Sequence, residues 1–353
     1  MLVETLRWQR SLSLMTFNLL APCYFRHGGR VESKDKTSFL ARAQAAIQAI
    51  KHEQCDIVCL QEFWFNREYQ RAFRQAFQPT HYLHTAKRPG NKEDGLAMFV
   101  DKRKFEVHYV ENVDLVEDAG DRVALLMHVA TKWNRNSMRL PQRSFIVVNS
   151  HLTFPHTHMY ASLRLNQIDR VLAAIRKYVA RQKLHDVPVL LCGDFNDYDD
   201  PVYRLVTKNG FASMFAHLHG REARITHCNH NNREVGVDFI FGARLQAPAT
   251  DGETLATSTL RRHAELTLSD DDQPEINELR LQLEPVDCYL VPKRLPRRDH
   301  RPLVATFGMM HGESSRQKTK VPSLDNVQAL TAGMKARVED TIPIDIATDG
   351  LTS

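Results

Sequence analysis

Six short polar motifs punctuate this chain, and most of them end or follow a brief apolar run. Asn18 closes a run through Leu14 and Met15, and Gln61-Glu62 closes Ile57-Val58-Cys59-Leu60. Asn149-Ser150-His151-Leu152 follows Phe145-Ile146-Val147-Val148, and Gly193-Asp194-Phe195-Asn196 follows Val187-Pro188-Val189-Leu190-Leu191. Val237-Asp238-Phe239-Ile240 and Asp299-His300 complete the series. Apolar runs of about four to eight residues read as buried strands. A carboxylate, amide or imidazole at each strand end would put all of them on one rim of a strand-rich core. At 353 residues the chain is long enough for about two domains. A single rim built from both ends of the sequence argues instead for one large catalytic domain, expected over 11–308, with a polar Ser/Lys/Thr-rich tail at 309–353.

Between the motifs the periodicity alternates. Ser11 to Asn18, Ile57 to Gln61, Phe145 to Asn149, Val189 to Cys192 and Val237 to Phe241 read as strands. Phe39 to His52, Asn66 to Phe77 and His158 to Lys183 read as helices. The second of these puts Tyr69, Phe73 and Phe77 on one face; the third carries the stripe Leu165, Ile168, Leu172, Ile175 and Val179. Leu96 to Val100, Glu106 to Val110 and Val123 to Val129 suggest consecutive antiparallel strands. Residues 243–283, with the acidic run Asp270-Asp271-Asp272, read as an insertion between two core strands. The fold class expected is α/β (α+β), a sandwich of two mixed sheets flanked by helices.

Composition excludes more than it selects. A hydrophobic fraction of 42% and a charged fraction of 25% are those of an ordinary soluble globular protein. The net charge of +5 suits a phosphate-rich partner without requiring one. The cysteines form no C-x-x-C pair, which speaks against a zinc site and, with their apolar surroundings, for a reduced compartment. No signal peptide or run of about 18 apolar residues is visible, so the expectation is a cytoplasmic or nuclear protein without stable membrane insertion.

The ordered motif series resembles the endonuclease/exonuclease/phosphatase superfamily over roughly residues 12 to 307. Leu60-Gln61-Glu62-Phe63-Trp64, Asp121-Arg122-Val123-Ala124, His151 to His156 and Gly236 to Ile240 look like a plant and protist branch related to nocturnin-type deadenylases. Some members of that branch carry EF-hands. An EF-hand loop needs Asp-x-Asp/Asn-x-Asp/Asn-Gly with a Glu six residues on. The acidic run 270–272 has neither the spacing nor the glycine.

The resemblance implies a four-layered, deoxyribonuclease I-like sandwich and a Mg²⁺ cofactor, with Mn²⁺ as the alternative. It implies Glu62 as the central metal ligand, Asn18 beside it through its amide oxygen or a water, and Asp299 as a further carboxylate. Asp194 would orient or deprotonate the attacking water, and Asn196 would hold that water or the phosphate. His151 and His300 would bracket the phosphate, with Asp238 as the partner of His300. Arg122, Arg164, Gln167, His156 and Arg298 are candidate substrate-binding residues. Arg294, Arg297 and Arg298 form a basic cluster just before Asp299. The implied activity is metal-dependent hydrolysis of phosphate esters, with RNA or a nucleotide favoured as substrate. A lipid phosphodiesterase or phosphoinositide phosphatase is the second reading, and a catalytically silent scaffold the third. No partner protein is indicated.

Overall fold

A computed structural model gives the structure of the chain and describes residues 11–115, 121–133, 138–155, 159–196, 201–228, 233–245, 279–292 and 300–313. The residue runs that alternate in hydrophobicity become strands, numbered here in chain order. β1 is Ser11–Asn18, β2 Ile57–Trp64, β3 His81–Lys87, β4 Asp94–Asp101, β5 Phe105–Asp114 and β6 Val123–Thr131. β7 is Ser144–His151, β8 Val187–Asp194, β9 Ala212–Ser213, β10 Asp238–Leu245, β11 Leu279–Leu290 and β12 Leu303–Glu313. The helices are α1 Lys36–Glu53, α2 Arg67–Phe77, α3 Met159–Arg181, α4 Pro201–Lys208 and α5 Met214–His219.

Two mixed six-stranded sheets result, ordered β11-β12-β1-β2-β4-β3 and β9-β10-β8-β7-β6-β5. The period-2 side-chain alternation of each strand decides what it packs against. Leu12 and Leu14 of β1 enter the inter-sheet core, while Met15 and Phe17 face the helical side of the same sheet. On β8, Leu190 and Cys192 face the other sheet, and Val189 and Leu191 face outward. Tyr69, Phe73 and Phe77 of α2 lie in the first outer core with Phe39 of α1, and Phe73 sits 5.2 Å from Phe63 between ring centroids. The α3 stripe packs on the second sheet. The order helix, sheet, sheet, helix is the expected four-layered sandwich.

Helix starts follow local chemistry. Asp35 caps α1 by accepting from the Thr37 and Ser38 amides, and Asn66 caps α2 by accepting from Glu68 and Tyr69. Side-chain oxygens at these positions satisfy amides that have no partner inside the helix. The two central strand pairs, β1 with β2 and β7 with β8, are parallel. Parallel neighbours require a crossover, supplied by α1 and α3. Their C-terminal ends carry the polar motifs.

Three boundaries differ from expectation. Residues 243–245 and 279–283 belong to core strands β10 and β11, which pair within different sheets. Residues 309–313 extend β12 and pair with β11. The polar sequence of these segments hid strands that lie partly at a sheet edge. The run Leu96 to Val100 pairs with β2 and β3 in the first sheet, whereas β5 and β6 pair in the second, so the expected consecutive meander divides between the sheets.

Candidate active site

Register delivers three of the polar groups side by side. Asp194 pairs directly with His151 on β7 and with Asp238 on β10. On the other sheet Asn18 pairs with Gln61. A bulge in β2 then sets Glu62: Leu60 opposes Ala97 and Phe63 opposes Gly95, so Gln61 and Glu62 share one partner position. Glu62 takes a left-handed φ of 51° there, a conformation uncommon for a residue other than glycine. Such bulges re-aim a side chain out of the strand's alternation. Beside Asp194, Gly193 has φ 144°, and a Cβ at this position would lie 1.8 Å from the Ser150 carbonyl oxygen. Only glycine lets β7 and β8 approach this closely.

The two sheets are tied together beneath and within the site. Gln61 Nε2 donates to Asn149 Oδ1 at 2.7 Å, and Asn149 Nδ2 donates to the carbonyls of Leu60 and Ala97. Asn18 Nδ2 donates to Asp194 Oδ2 at 2.9 Å and to Glu62 Oε1 at 3.3 Å. The amide of Ala21 donates to Glu62 Oε2 at 2.8 Å. Asn18 differs from expectation in the atom it presents. Its oxygen accepts from the Leu20 amide at 2.9 Å, so the nitrogen, which cannot coordinate a cation, faces the carboxylates.

Asp194 occupies the centre. Its Oδ1 accepts from the Asn196 amide, and its Oδ2 lies 3.5 Å from His300 Nε2 and 3.6 Å from His151 Nε2. Burial pushes the Asp194 carboxyl up to about 7; the His300 charge opposes this and Asp238 adds to it. His300 Nδ1 lies 2.9 Å from Asp238 Oδ2. Asp238 Oδ1 is buried with no hydrogen-bond partner among the described residues. Asp194, Asp238 and His300 are close enough to surround one ion, with ligand atoms within 4.8 Å of one another. Thr226 Oγ1 accepts from the Val237 and Asp238 amides, and the Thr226 carbonyl accepts from the Arg301 amide, fixing the backbone on both sides of the pair.

Asn196 Nδ2 donates to the Leu152 carbonyl at 3.0 Å and lies 3.2 Å from His151 Nε2. The carbonyl fixes the amide's orientation, so His151 Nε2 accepts and the ring proton resides on Nδ1. Burial, reinforced by Arg122, Arg88 and His300, holds the His151 pKa well below the ordinary imidazole value, consistent with a neutral ring.

Arg122 is buried beside this cluster, and its Nη1 has no hydrogen-bond partner among the described residues. Burial and the neighbouring Arg88 pull its pKa down to about 10, against the opposing charges of Asp94, Glu62 and Asp194. Gln167 is buried against the segment after β7. Its Oε1 accepts from the Thr153 amide and its Nε2 donates to Thr153 Oγ1, so both ends of the amide secure the segment after β7. Arg164 donates to the Thr153 carbonyl from the same helix. Asp299, Arg298 and His156, like Arg294 and Arg297, lie outside the described residues.

Sequence reasoning missed several groups. Arg88, Asp94 and Tyr24 form a chain leading to Arg122: Tyr24 Oη donates to Asp94 Oδ1 at 2.6 Å, and Arg88 pairs with Asp94 at 3.3 Å. Thr226 and His227 were also missed; the His227 ring stacks on His300 with centroids 4.0 Å apart. The string Thr226-His227 precedes Asp238 by about one hairpin, which was the available signal. Arg88 and Tyr24 had none stronger than proximity to a turn.

Two facing mixed sheets with a polar rim at the ends of their central strands form a deoxyribonuclease I-like sandwich. The chain belongs to the endonuclease/exonuclease/phosphatase family, whose pattern it matches over residues 15–270. It is 33% identical over 265 residues to an Arabidopsis thaliana protein described as an uncharacterized calcium-binding protein, covering 71% of this chain and 54% of that one. It is 30% identical over 183 residues to Drosophila melanogaster protein angel, covering 49% and 48%. The chain thus spans about half the length of these curated relatives. Among solved structures, ANGEL2, described as a 2',3'-cyclic phosphatase, superposes with a TM-score of 0.59 at 18% identity, covering 84% of this chain and 95% of that one. The human nocturnin catalytic domain with bound sulfate gives 0.58 at 19%, covering 85% and 94%. These two likenesses establish the fold. Among the described residues no helix is long and apolar enough to cross a membrane.

Proposed function

We propose that the chain is a Mg²⁺-dependent phosphodiesterase acting on RNA or nucleotides by in-line attack of water. The observation that carries this reading is Asp194, a buried carboxylate at the junction of the two sheets, touched by Asn18, His151, His300 and Asn196. Family membership supports a phosphate ester as substrate, and ANGEL2, a protein of like fold described as a 2',3'-cyclic phosphatase in complex with adenosine-2',3'-vanadate, supports a nucleotide.

The donor set fits a hard cation. Glu62 is a carboxylate fixed by the Ala21 amide and by Asn18, which also holds Asp194, and carboxylate oxygens are the hard donors such a cation takes. Mg²⁺ favours few direct carboxylates and retains waters. Glu62 would hold it, with Asp299 as a second carboxylate. Both nitrogens of His300 already face carboxylates, which leaves the Asp194–Asp238–His300 group better suited to proton management than to Mg²⁺. When bound, the cation would supply neutralisation of charge on the phosphate and leaving oxygen.

The chain's own residues do the rest. Asp194 as carboxylate takes the proton of the attacking water, and a group tuned toward neutral pH suits that task. As oxygen bonds to phosphorus, the bond to the leaving oxygen breaks. His300, placed between Asp238 and Asp194, presents a positive ring to the developing charge. Asn196 orients the neutral His151. Arg122 offers its unpaired Nη1 to a non-bridging phosphate oxygen. The test is a panel of oligo(A), single-stranded DNA, dinucleotide cofactors, sphingomyelin and phosphoinositides with Mg²⁺. Fastest turnover on oligo(A) or a dinucleotide is expected. Fastest turnover on a lipid, or none on any ester, would overturn the reading.

A further inference from the structure

Tyr24 is one of few large hydrophobic side chains left exposed among the described residues, at 42%. A surface tyrosine is usually mobile, but this one is held at its far end. Its Oη donates to Asp94, a residue with no exposed surface, at 2.6 Å, and Arg88 Nη1 approaches the same oxygen at 3.5 Å. The near end is held as well. The Tyr24 amide donates to the Ala21 carbonyl at 2.9 Å, and the Ala21 amide is the donor that fixes Glu62. The ring is therefore locked at both ends, exposed, and built on the same turn that positions Glu62.

Polar neighbours run inward from it. Asp94 pairs with Arg88, Arg88 also donates to the Asp121 carbonyl, and Arg122 follows Asp121 in sequence with its Nη1 unpartnered. A buried guanidinium nitrogen without an acceptor is costly unless a ligand supplies one. An anion at Arg122 and a flat surface at Tyr24 describe a molecule with a phosphate at one end and a planar group at the other. A rigid aromatic platform suits base stacking, because little side-chain freedom is lost on binding. An inositol ring offers no planar face, and a phosphocholine headgroup would meet the ring through its cation rather than by stacking.

We propose that Tyr24 is a specificity-determining residue on which a nucleobase of the substrate stacks while Arg122 holds the adjoining phosphate. The inference rests on the phosphodiesterase reading and narrows it to base-bearing esters. Stacking on an aromatic side chain is worth roughly 1–3 kcal/mol per base, or about 5- to 150-fold in affinity.

The experiment compares Tyr24→Leu and Tyr24→Trp with the unaltered full chain on two Mg²⁺-supported substrates, an adenylate trimer and its abasic phosphodiester counterpart. Tyr24→Leu should raise KM for the adenylate trimer at least 5-fold more than it raises KM for the abasic substrate. Tyr24→Trp should retain the preference. In chelator, where turnover is stopped, the adenylate trimer should quench the new tryptophan of Tyr24→Trp and the abasic trimer should not. Equal losses on both substrates, or equal quenching, would overturn the inference. Quenching by the adenylate trimer alone, with no hydrolysis of either substrate by the unaltered chain, would overturn the phosphodiesterase reading and leave the stacking site standing.

Discussion

Replacing Asp238 by Asn tests the charge logic of the site with little structural disturbance. The new side chain has nearly the same shape. The backbone is held independently by Thr226 Oγ1, which accepts from both the Val237 and the Asp238 amide. What changes is the bond from Asp238 Oδ2 to His300 Nδ1, 2.9 Å long between residues that are 2% and 7% exposed. A hydrogen bond to a charged group contributes about 1.5–3 kcal/mol net. Removing one member of a buried pair costs about 3–5 kcal/mol. At about 1.4 kcal/mol per power of ten, a positive His300 in the transition state makes the expected loss in kcat roughly 10- to 4,000-fold. KM should change little, because the substrate's ground state has not yet developed the extra charge. Steady-state kinetics on oligo(A) with saturating Mg²⁺ read both. The two residues should also fail to act additively, so Asp238→Asn should cost almost nothing further in a His300→Ala background. Independent, multiplicative losses would refute the pairing as the source of the effect.

Three other outcomes follow from particular contacts. Gly193→Ala places a Cβ 1.8 Å from the Ser150 carbonyl oxygen at φ 144°; backbone strain and overpacking together should cost about 3 kcal/mol or more. A urea midpoint within experimental error of the unaltered chain would contradict the close approach of β7 and β8. His128, 3% exposed and hydrogen-bonded to the Tyr178 hydroxyl at 2.9 Å, has a pKa lowered by burial to about 4. Its stabilisation is complete above about 6.5, the unfolded value, and is lost as pH falls toward about 4, a swing on the order of 3 kcal/mol. His128→Phe should flatten the acid limb of a stability-versus-pH curve by that order, and an unchanged limb would count against it. Gln61→Leu removes the donor to Asn149 and Thr16 that joins the sheets under Glu62. Measured by kcat with saturating Mg²⁺, it should lower turnover about 10-fold or more through misplacement of Glu62, and full activity would show that the amide pair is dispensable.

The sequence made the layers legible because burial and alternation coincide on the central strands. Leu12 and Leu14 against Met15 and Phe17 is a pattern of period 2 with both faces apolar, as a strand covered on each side requires. The Tyr69, Phe73 and Phe77 stripe of α2 was equally plain. β11 and the end of β12 were not, since Arg280, Gln282 and Glu284 alternate with leucines in a segment whose polarity reads as loop. Within the site, Glu62, Asp194, His151, Asp238 and His300 stood out because each ends or adjoins an apolar run, and strand register then set His151, Asp194 and Asp238 side by side. The bulge at Glu62 left no such mark, and neither did the direction of the Asn18 amide, which the Leu20 amide decides. The contacts of Gln167 with Thr153 were not legible, because helical spacing shows which face a side chain occupies but not that a loop backbone lies within reach. Arg88 and Asp94 sit on either side of a turn and meet only through folding.

The most direct test of the account is hydrolysis of oligo(A) measured as a function of free Mg²⁺, for the unaltered chain and for Glu62→Gln. Activity should rise with Mg²⁺, vanish in excess chelator and return on adding the metal back. Glu62→Gln should retain the fold by circular dichroism and lose turnover at every Mg²⁺ concentration tried. Hydrolysis that persists undiminished in excess chelator would contradict the claim that this rim of carboxylates and histidines works around a divalent cation.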